Sequence, residues 1–457
     1  MTIRTDAPAP LTRATLDAGS TAPVRIVHLG LGAFHRAHQA WYTDAVDDDR
    51  EWGIAAFTGR SPEAARTLEA QGGLYTVVER GESDGFHVVS SIVESHDGAD
   101  LARLCALVAA PTTAIVTITV TEAAYLLGAD GELAAGHPAV TADAATDAPT
   151  TMPGRLVRAL AARRAAGAGP IAVVSCDNLP ANGTAAHNAV VGMARLVEPG
   201  SGLADWIEAN VSFVDTSVDR ITPRATADDT PQVAAATGLL DRAPVVTEPF
   251  SSWVLSGGFP AGRPQWQRAG AQFVDDIEPF ERRKLWLLNG AHTLLAYAGS
   301  IRGHTTVFDA ISDAVCATWV DEFWNEASAH LTAPGLAIDD YRAALLDRFG
   351  NARIAHHLAQ IAADGSTKLR LRAVPVLRAE RAEGRSGGAS ARLIAAWIDW
   401  TAGATDPVDS RAADIATALR ETGRARTIAM LAILDDHLAG DTDVVDLVES
   451  LRATDRH

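Results

Sequence analysis

Cysteine is scarce in this chain of 457 residues: Cys105, Cys176 and Cys316 are its three, far apart and without a C-x-x-C pair. That excludes a disulfide framework and a zinc knuckle, and points to a reduced compartment, read here as the cytoplasm. Positive charge is short as well. Lys and Arg total 39 against 57 Asp and Glu, a formal net charge of −18, which argues against nucleic acid or an anionic membrane surface as a partner. Long apolar runs are missing too: none approaches the length that spans a bilayer, and MTIRTDAPAPLTRATLDAG at the N-terminus has no apolar core for a secretory signal. What is present, 47% hydrophobic and 21% charged residues, suits a globular protein of two or three domains. The oligomeric state is not legible in the chain; a monomer is compatible with it.

The chain has two textures. After an Ala-, Pro- and Thr-rich arm over 1–23, strand-like runs recur at 24–29, 53–58, 75–79, 87–93, 114–121, 170–175 and 245–254, with a helix near 153–166. The run AIVTITVT at 114–121 is largely β-branched and reads as a buried parallel strand. From about Phe280 onward Ala, Leu, Arg and Asp recur at helical spacing. The expected organisation is an α/β Rossmann-type domain over 1–276 followed by a mostly α-helical domain over 277–457.

The first strand runs straight into Gly30-Leu31-Gly32-Ala33-Phe34-His35, a strand–turn–helix of the kind that cradles a dinucleotide pyrophosphate. His35 stands where a third glycine is usual, so a tight turn that binds nothing stays open as an alternative. At the tip of the second strand, Gly59-Arg60-Ser61 carries no acid for a ribose 2′-hydroxyl, and Ser61-Pro62 is expected to open a helix. Arg60 there is suited to a 2′-phosphate or to stacking on adenine. Polar clusters follow the later strands: Glu122 after 114–121, Asp177-Asn178 after 170–175, and Asp219-Arg220 after the run starting at Phe213. Carboxyl ends of strands are where open α/β sheets bind ligands. An ion pair on the surface is the plain alternative for Asp219 beside Arg220.

In the second half, 281–299 (ERRKLWLLNGAHTLLAYAG) is apolar on nearly every side and interrupted by Lys284, Asn289 and His292. At about 100° per residue, Lys284 at 0°, His292 near 80° and Asn289 near 140° share one side of a helix. A lysine at the first turn of a buried helix meets desolvation and the positive end of the helix dipole, both lowering its pKa toward that of a general base. Buried polar groups cost a few kcal/mol unless paired, so three on one arc point to function, with hydrogen-bonded or solvated structural residues as the plain alternative.

The series GLGAFHRAHQ, TVTEAAY, VVSCDNLPANG, DTSVDRITP, TEPFSSWV and KLWLLNGAH resembles the mannitol dehydrogenase family, in order and at suitable separations. The resemblance implies a nicotinamide cofactor (NAD, with NADP open), no metal, and hydride transfer at a secondary CH–OH of a sugar alcohol or sugar acid, of the mannitol/fructose or mannonate/fructuronate type. It implies that Lys284 is the general acid/base, Asn289 and Asn178 hold the partly negative oxygen, and His292 contacts a substrate hydroxyl. The same resemblance implies that Asp219 is an acid of that pocket and Glu122 a proton relay. Gly30, Gly32, Ala33, Phe34 and Arg60 are the cofactor-side residues. The segment from Asp364 through Lys368 to Arg372 looks more like the hexuronate-reductase version of its motif, so Lys368 and its basic neighbours, with Arg353, His356 and His357, are candidates for a substrate carboxylate. A solvated basic face is the alternative. His35 and His38, three apart, are geometrically possible metal ligands but not the favoured reading. Two rival functions remain: a β-hydroxyacid dehydrogenase-like enzyme, in which the asparagine follows the lysine at plus four and not at plus five, and a catalytically silent nicotinamide-binding sensor.

Overall fold

The computed structural model describes residues 7–16, 21–354, 356–404 and 408–452. The chain divides into two compact units, Met1–Ile277 and Glu278–His457.

The first unit is built on an eight-stranded sheet. Its strands are β1 (Val24–Leu29), β2 (Gly53–Phe57), β3 (Ile92–His96), β4 (Ile115–Ile118), β5 (Ile171–Ser175), β6 (Val211–Asp219), β7 (Ser252–Ser256) and β8 (Gln272–Phe273). Their spatial order is 3-2-1-4-5-6-7-8, and only the β6–β7 pair is antiparallel. This is the Rossmann order, with its strand-order reversal between β1 and β4. Alternate side chains serve opposite faces. Val27 and Leu29 of β1 join one core with Leu156, Leu160 and Ala189, while Ile26 joins another with Tyr42, Trp253 and Trp266. Burial on both faces explains why the central strands read as unbroken apolar runs.

Two expected strands divide. The run 87–93 contributes the end of Asp84–Val89 to a separate three-stranded sheet with Tyr75–Arg80 and Val245–Thr247, and the start of β3 to the main one. The run 245–254 breaks between Thr247 and Ser252, around Pro249, which cannot donate to a ladder. The arm is draped where it is described: Ala9–Pro10 pairs with Leu239–Leu240, and Arg13 donates to the carbonyls of Gly72, Ser90 and Ile92.

The second unit is helical. Its central path over 278–299 is not uniformly α-helical as expected: Glu278–Arg283 is α, Lys284–Asn289 is π, Gly290–Leu294 is α and Leu295–Gly299 is π again. Carbonyls in this altered register are served from outside. The indole of Trp324, on helix Ala314–Ala329, donates to Leu287 O at 2.8 Å, and Arg372 donates through Nη1 to Asn289 O at 3.1 Å. Among the described residues no helix is long and apolar enough to cross a membrane.

Candidate functional site

In the first unit the chemistry gathers at the carboxyl ends of β1, β4, β5 and β6. Gly30 follows β1 with φ +107°, and a Cβ there would lie 1.9 Å from Thr119 O, so the sheet itself requires glycine. Gly32 is different: an added Cβ would meet only Gly30 O, at 3.6 Å. The protein does not require glycine at 32, whereas a phosphate approaching the backbone would. Gly32 is also the N-cap of the helix Ala33–Ala37 and brings no side-chain cap, so the helix-start N–H groups of Ala33 and Phe34 are not claimed by one. These observations fit a dinucleotide pyrophosphate at 30–34.

His35 has a structural task. Its ring stacks on His28 with centroids 3.3 Å apart and planes 7° from parallel, and both residues are fully buried. His28 bonds Thr117 Oγ1 at 2.8 Å and Thr119 Oγ1 at 3.1 Å, and burial brings its pKa down to about 3. His38 Nε2 bonds Ser252 O instead of facing His35, and among the described residues no group of three His, Cys, Asp or Glu has metal-holding geometry.

At the β2 tip Arg60 is exposed, and the space around Gly59 is open. The following helix, Glu63–Ala70, opens a residue later than expected, although Ser61 Oγ still accepts from Glu63 N at 3.3 Å.

Glu122 is exposed and begins the 3₁₀ turn Glu122–Tyr125, behind Thr121 at φ +79°. That strained turn is held by Asp177, whose carboxylate accepts from Val120 N at 3.0 Å, Thr121 N at 2.8 Å and Tyr125 Oη at 2.7 Å. Burial raises the Asp177 pKa, and these donors counter it. Asp177 thus ties the loop after β4 to the loop after β5 and leaves Asn178 exposed beside it. Sequence reading passed over Asp177 and Asn182 as site-builders. Asn182 Nδ2 spans Asp177 O and Thr216 O, and its Oδ1 accepts from Thr216 N. Both lay in the quoted motif, but nothing one-dimensional told support from contact.

Asp219 ends β6 and is nearly buried. The surface ion pair considered for it and Arg220 is not what forms. Arg220 is buried, pairs with Glu79 at 2.5 Å, donates to Ala37 O and Glu248 O, and lies over the Trp41 ring.

In the second unit Lys284, Asn289 and His292 lie on one helical path, with Lys284 and Asn289 part-exposed and His292 buried. Lys284 does not open the helix, as expected, but sits in its second turn after Glu278. The terminal dipole acts within the first turn and falls away there. The six residues from Lys284 to Asn289 form the π segment, whose hydrogen-bond register is i→i+5. Residues five apart are about 140° out of line in an α-helix; in this register the fifth residue lies one turn on, as the fourth does in an α-helix, which brings Asn289 toward the Lys284 side.

His292 packs against Phe349 and, edge-on, against His356 with ring centroids 4.8 Å apart. Burial, then His356, Arg348 and Arg372, drives the His292 pKa well down, so its imidazole is neutral. Lys368 Nζ donates to Ile361 O at 2.7 Å and Ala363 O at 2.5 Å, which commits two of its three N–H groups to main-chain carbonyls. Of the other basic candidates, Arg353 and His357 are exposed and His356 is half-buried.

The chain is similar to known proteins along both units. The family description "Mannitol dehydrogenase Rossmann domain" matches residues 24–268, and "Mannitol dehydrogenase C-terminal domain" matches 276–451. The chain is 37% identical to the D-mannonate oxidoreductase of Escherichia coli K12 over 98% of its length and 96% of that protein. It is 38% identical to a mannitol 2-dehydrogenase of Cereibacter sphaeroides, over 87% and 84%. Among solved structures it is similar to a D-sorbitol dehydrogenase in substrate-free form (TM-score 0.89, 30% identity, 97% of each chain covered). It is also similar to the Pseudomonas fluorescens mannitol 2-dehydrogenase in ternary complex with NAD and D-mannitol (TM-score 0.77, 33% identity, 98% and 94% covered). With both units matched along almost their whole length, the chain belongs to the mannitol dehydrogenase family.

Proposed function

We propose that this protein is a nicotinamide-dependent oxidoreductase that interconverts a secondary CH–OH and the matching carbonyl in a sugar alcohol or sugar acid, with Lys284 as general acid/base. The observation that carries the reading is the π turn from Lys284 to Asn289, whose register sets the two residues one turn apart. A second observation supports it. Of the 39 basic residues only Lys284 and Lys368 are lysines. Where positive charge alone suffices, this chain uses arginine; a proton shuttle needs a group that can deprotonate, which arginine is not.

In oxidation Lys284 Nζ takes the hydroxyl proton, and the Asn289 carboxamide N–H donates to the oxygen as negative charge develops on it. Preorganised amide donors and a lysine do the work that a Lewis acid does elsewhere, so the reaction is read as independent of metal. The nicotinamide supplies the hydride acceptor. His292, neutral and buried, is read as a hydroxyl contact. In the first unit, Glu122, Asn178 and Asp219, at the carboxyl ends of β4, β5 and β6, take the roles that the family resemblance implies: proton relay, oxygen binding and substrate binding. Gly30, Gly32, Ala33 and Phe34 hold the pyrophosphate. Lys368 is read as a substrate-side cation.

NAD is the proposed working cofactor, with only modest rejection of NADP, because the β2 tip has no acid to repel a 2′-phosphate. Arg60→Glu is expected to cut kcat/KM for NADPH far more than for NADH. Equal losses would mean that Arg60 does not read the 2′ position. The overall reading is tested by a panel of hexitols, pentitols, aldonates and keto-uronates followed through NAD(P)H absorbance. Turnover with release of carbon dioxide would favour a β-hydroxyacid dehydrogenase. Cofactor binding without turnover on any member would favour a sensor.

A further inference from the structure

Arg372 ends the helix Gly365–Arg372 in the second unit and spends only part of its donor set. Nη1 donates to Asn289 O at 3.1 Å and to Thr293 Oγ1 at 2.8 Å. Nε is buried with no hydrogen-bond partner, and none is recorded for Nη2 among the described residues. The Nε/Nη2 edge is the side of a guanidinium that grips a carboxylate with two parallel hydrogen bonds.

A half-buried guanidinium normally sits beside an acid, since an unpaired charge out of water is costly. Among the described residues none pairs with Arg372. Two described acids of this region are engaged elsewhere: Asp364 accepts from Ser410 and Asp409 from Ser366. Other orphaned buried nitrogens lie in the same cluster, His292 Nε2 and, on the ring packed against it, His356 Nδ1. Arg348 adds positive charge within range of both imidazoles. Burial lowers Arg372 only to about 10, so it remains a cation at neutral pH.

We infer that the Nε/Nη2 edge of Arg372, with His292 and His356 alongside, receives a substrate carboxylate, which makes the preferred substrate a sugar acid and not a neutral polyol. Resting on the reading that the Lys284 helix is the reacting one, this names the substrate class within it. Arg372 is then a specificity residue joined directly to that helix: one edge holds the carbonyl of Asn289, and the other holds the substrate's charged end.

The test compares matched substrates on the full chain with saturating cofactor: a six-carbon sugar acid and the neutral sugar alcohol or ketose of the same configuration. Wild type is expected to favour the acid in kcat/KM by at least about tenfold. Arg372→Gln is expected to lower kcat/KM for the acid by roughly 10–100-fold, mainly through KM, as befits loss of a charged hydrogen-bonded pair. The neutral substrate leaves that edge unused and feels only the loss of the contact to Asn289 O, so its loss should be smaller and the acid-to-neutral ratio should fall by about tenfold or more. Arg372→Lys keeps the charge without the fork and should fall between. Thr293→Val, which removes an acceptor of Nη1 and a donor to Asn289 O but leaves the Nε/Nη2 edge untouched, should leave the acid-to-neutral ratio unchanged. A wild-type preference for the neutral substrate overturns the inference without any variant. So do equal losses on both substrates in Arg372→Gln, which would make Arg372 a positioning residue for Asn289. Turnover of neither class would instead remove the oxidoreductase reading itself.

Discussion

Single side chains set the chemistry. Lys284→Ala is expected to lower turnover by a factor of hundreds or more, since general acid–base catalysis contributes about 10²–10⁴-fold, while cofactor affinity stays near wild type. A variant that keeps more than a tenth of wild-type turnover would remove Lys284 as the base. His28 makes a prediction about stability. Its folded pKa is depressed to about 3 from an ordinary 6.5, so the folded state holds it neutral while the unfolded chain takes up a proton. The stability is therefore complete above about pH 6.5 and is lost as pH falls toward 3, by about 1.4 kcal/mol per pH unit. Stacked His35, lowered by burial and by His28, acts in the same direction. The thermal midpoint should fall between pH 7.5 and pH 5, and His28→Gln should flatten that slope. A wild-type midpoint independent of pH over this span would contradict the buried neutral pair.

At the scale of elements, the decisive feature is the π turn from Lys284 to Asn289. The spacing of five had been read on an α-helical wheel, where it separates the pair and distinguishes this chain from enzymes with a spacing of four. In the π register the fifth residue takes the place that the fourth takes in an α-helix, so the two spacings present lysine and asparagine alike. Spacing alone therefore does not discriminate between the families; the match along both units does. The turn depends on donors outside it. Trp324→Phe removes the indole N–H from Leu287 O and leaves a buried carbonyl without that donor. It should cost about 1–3 kcal/mol, seen as a lower midpoint for unfolding, with turnover falling and cofactor affinity unchanged. An unchanged midpoint would show that the π turn does not need this support. The helix start misled in a simpler way: Glu278 and Pro279 lie outside the apolar stretch, so the pattern placed Lys284 at the first turn, while the backbone begins the helix a turn earlier.

Across the whole molecule, the three cysteines stay separate and unpaired, His28 stacks on His35, His38 bonds a carbonyl, and His304 and His330 face acids. Because Lys284 and the two asparagines are proposed to replace a Lewis acid, exhaustive treatment with EDTA or phenanthroline is expected to leave activity intact. Loss of activity restored by zinc would return attention to His35 and His38 and sink the lysine–amide mechanism. By itself the sequence determined the α/β unit followed by a helical unit, because buried parallel strands and amphipathic helices leave periods of their own in the chain. It also marked Gly30, Lys284, Asn289 and His292, because glycine before a helix and polar groups in an apolar run are local anomalies. Tertiary structure alone decided what supports those residues. That Asp177 clamps the Thr121 turn, that His35 serves His28, that Lys368 caps carbonyls, and that Arg372 reaches Asn289 with one edge while the other stays unpaired all depend on contacts between segments distant in sequence or on backbone register. One-dimensional periodicity carries no trace of either.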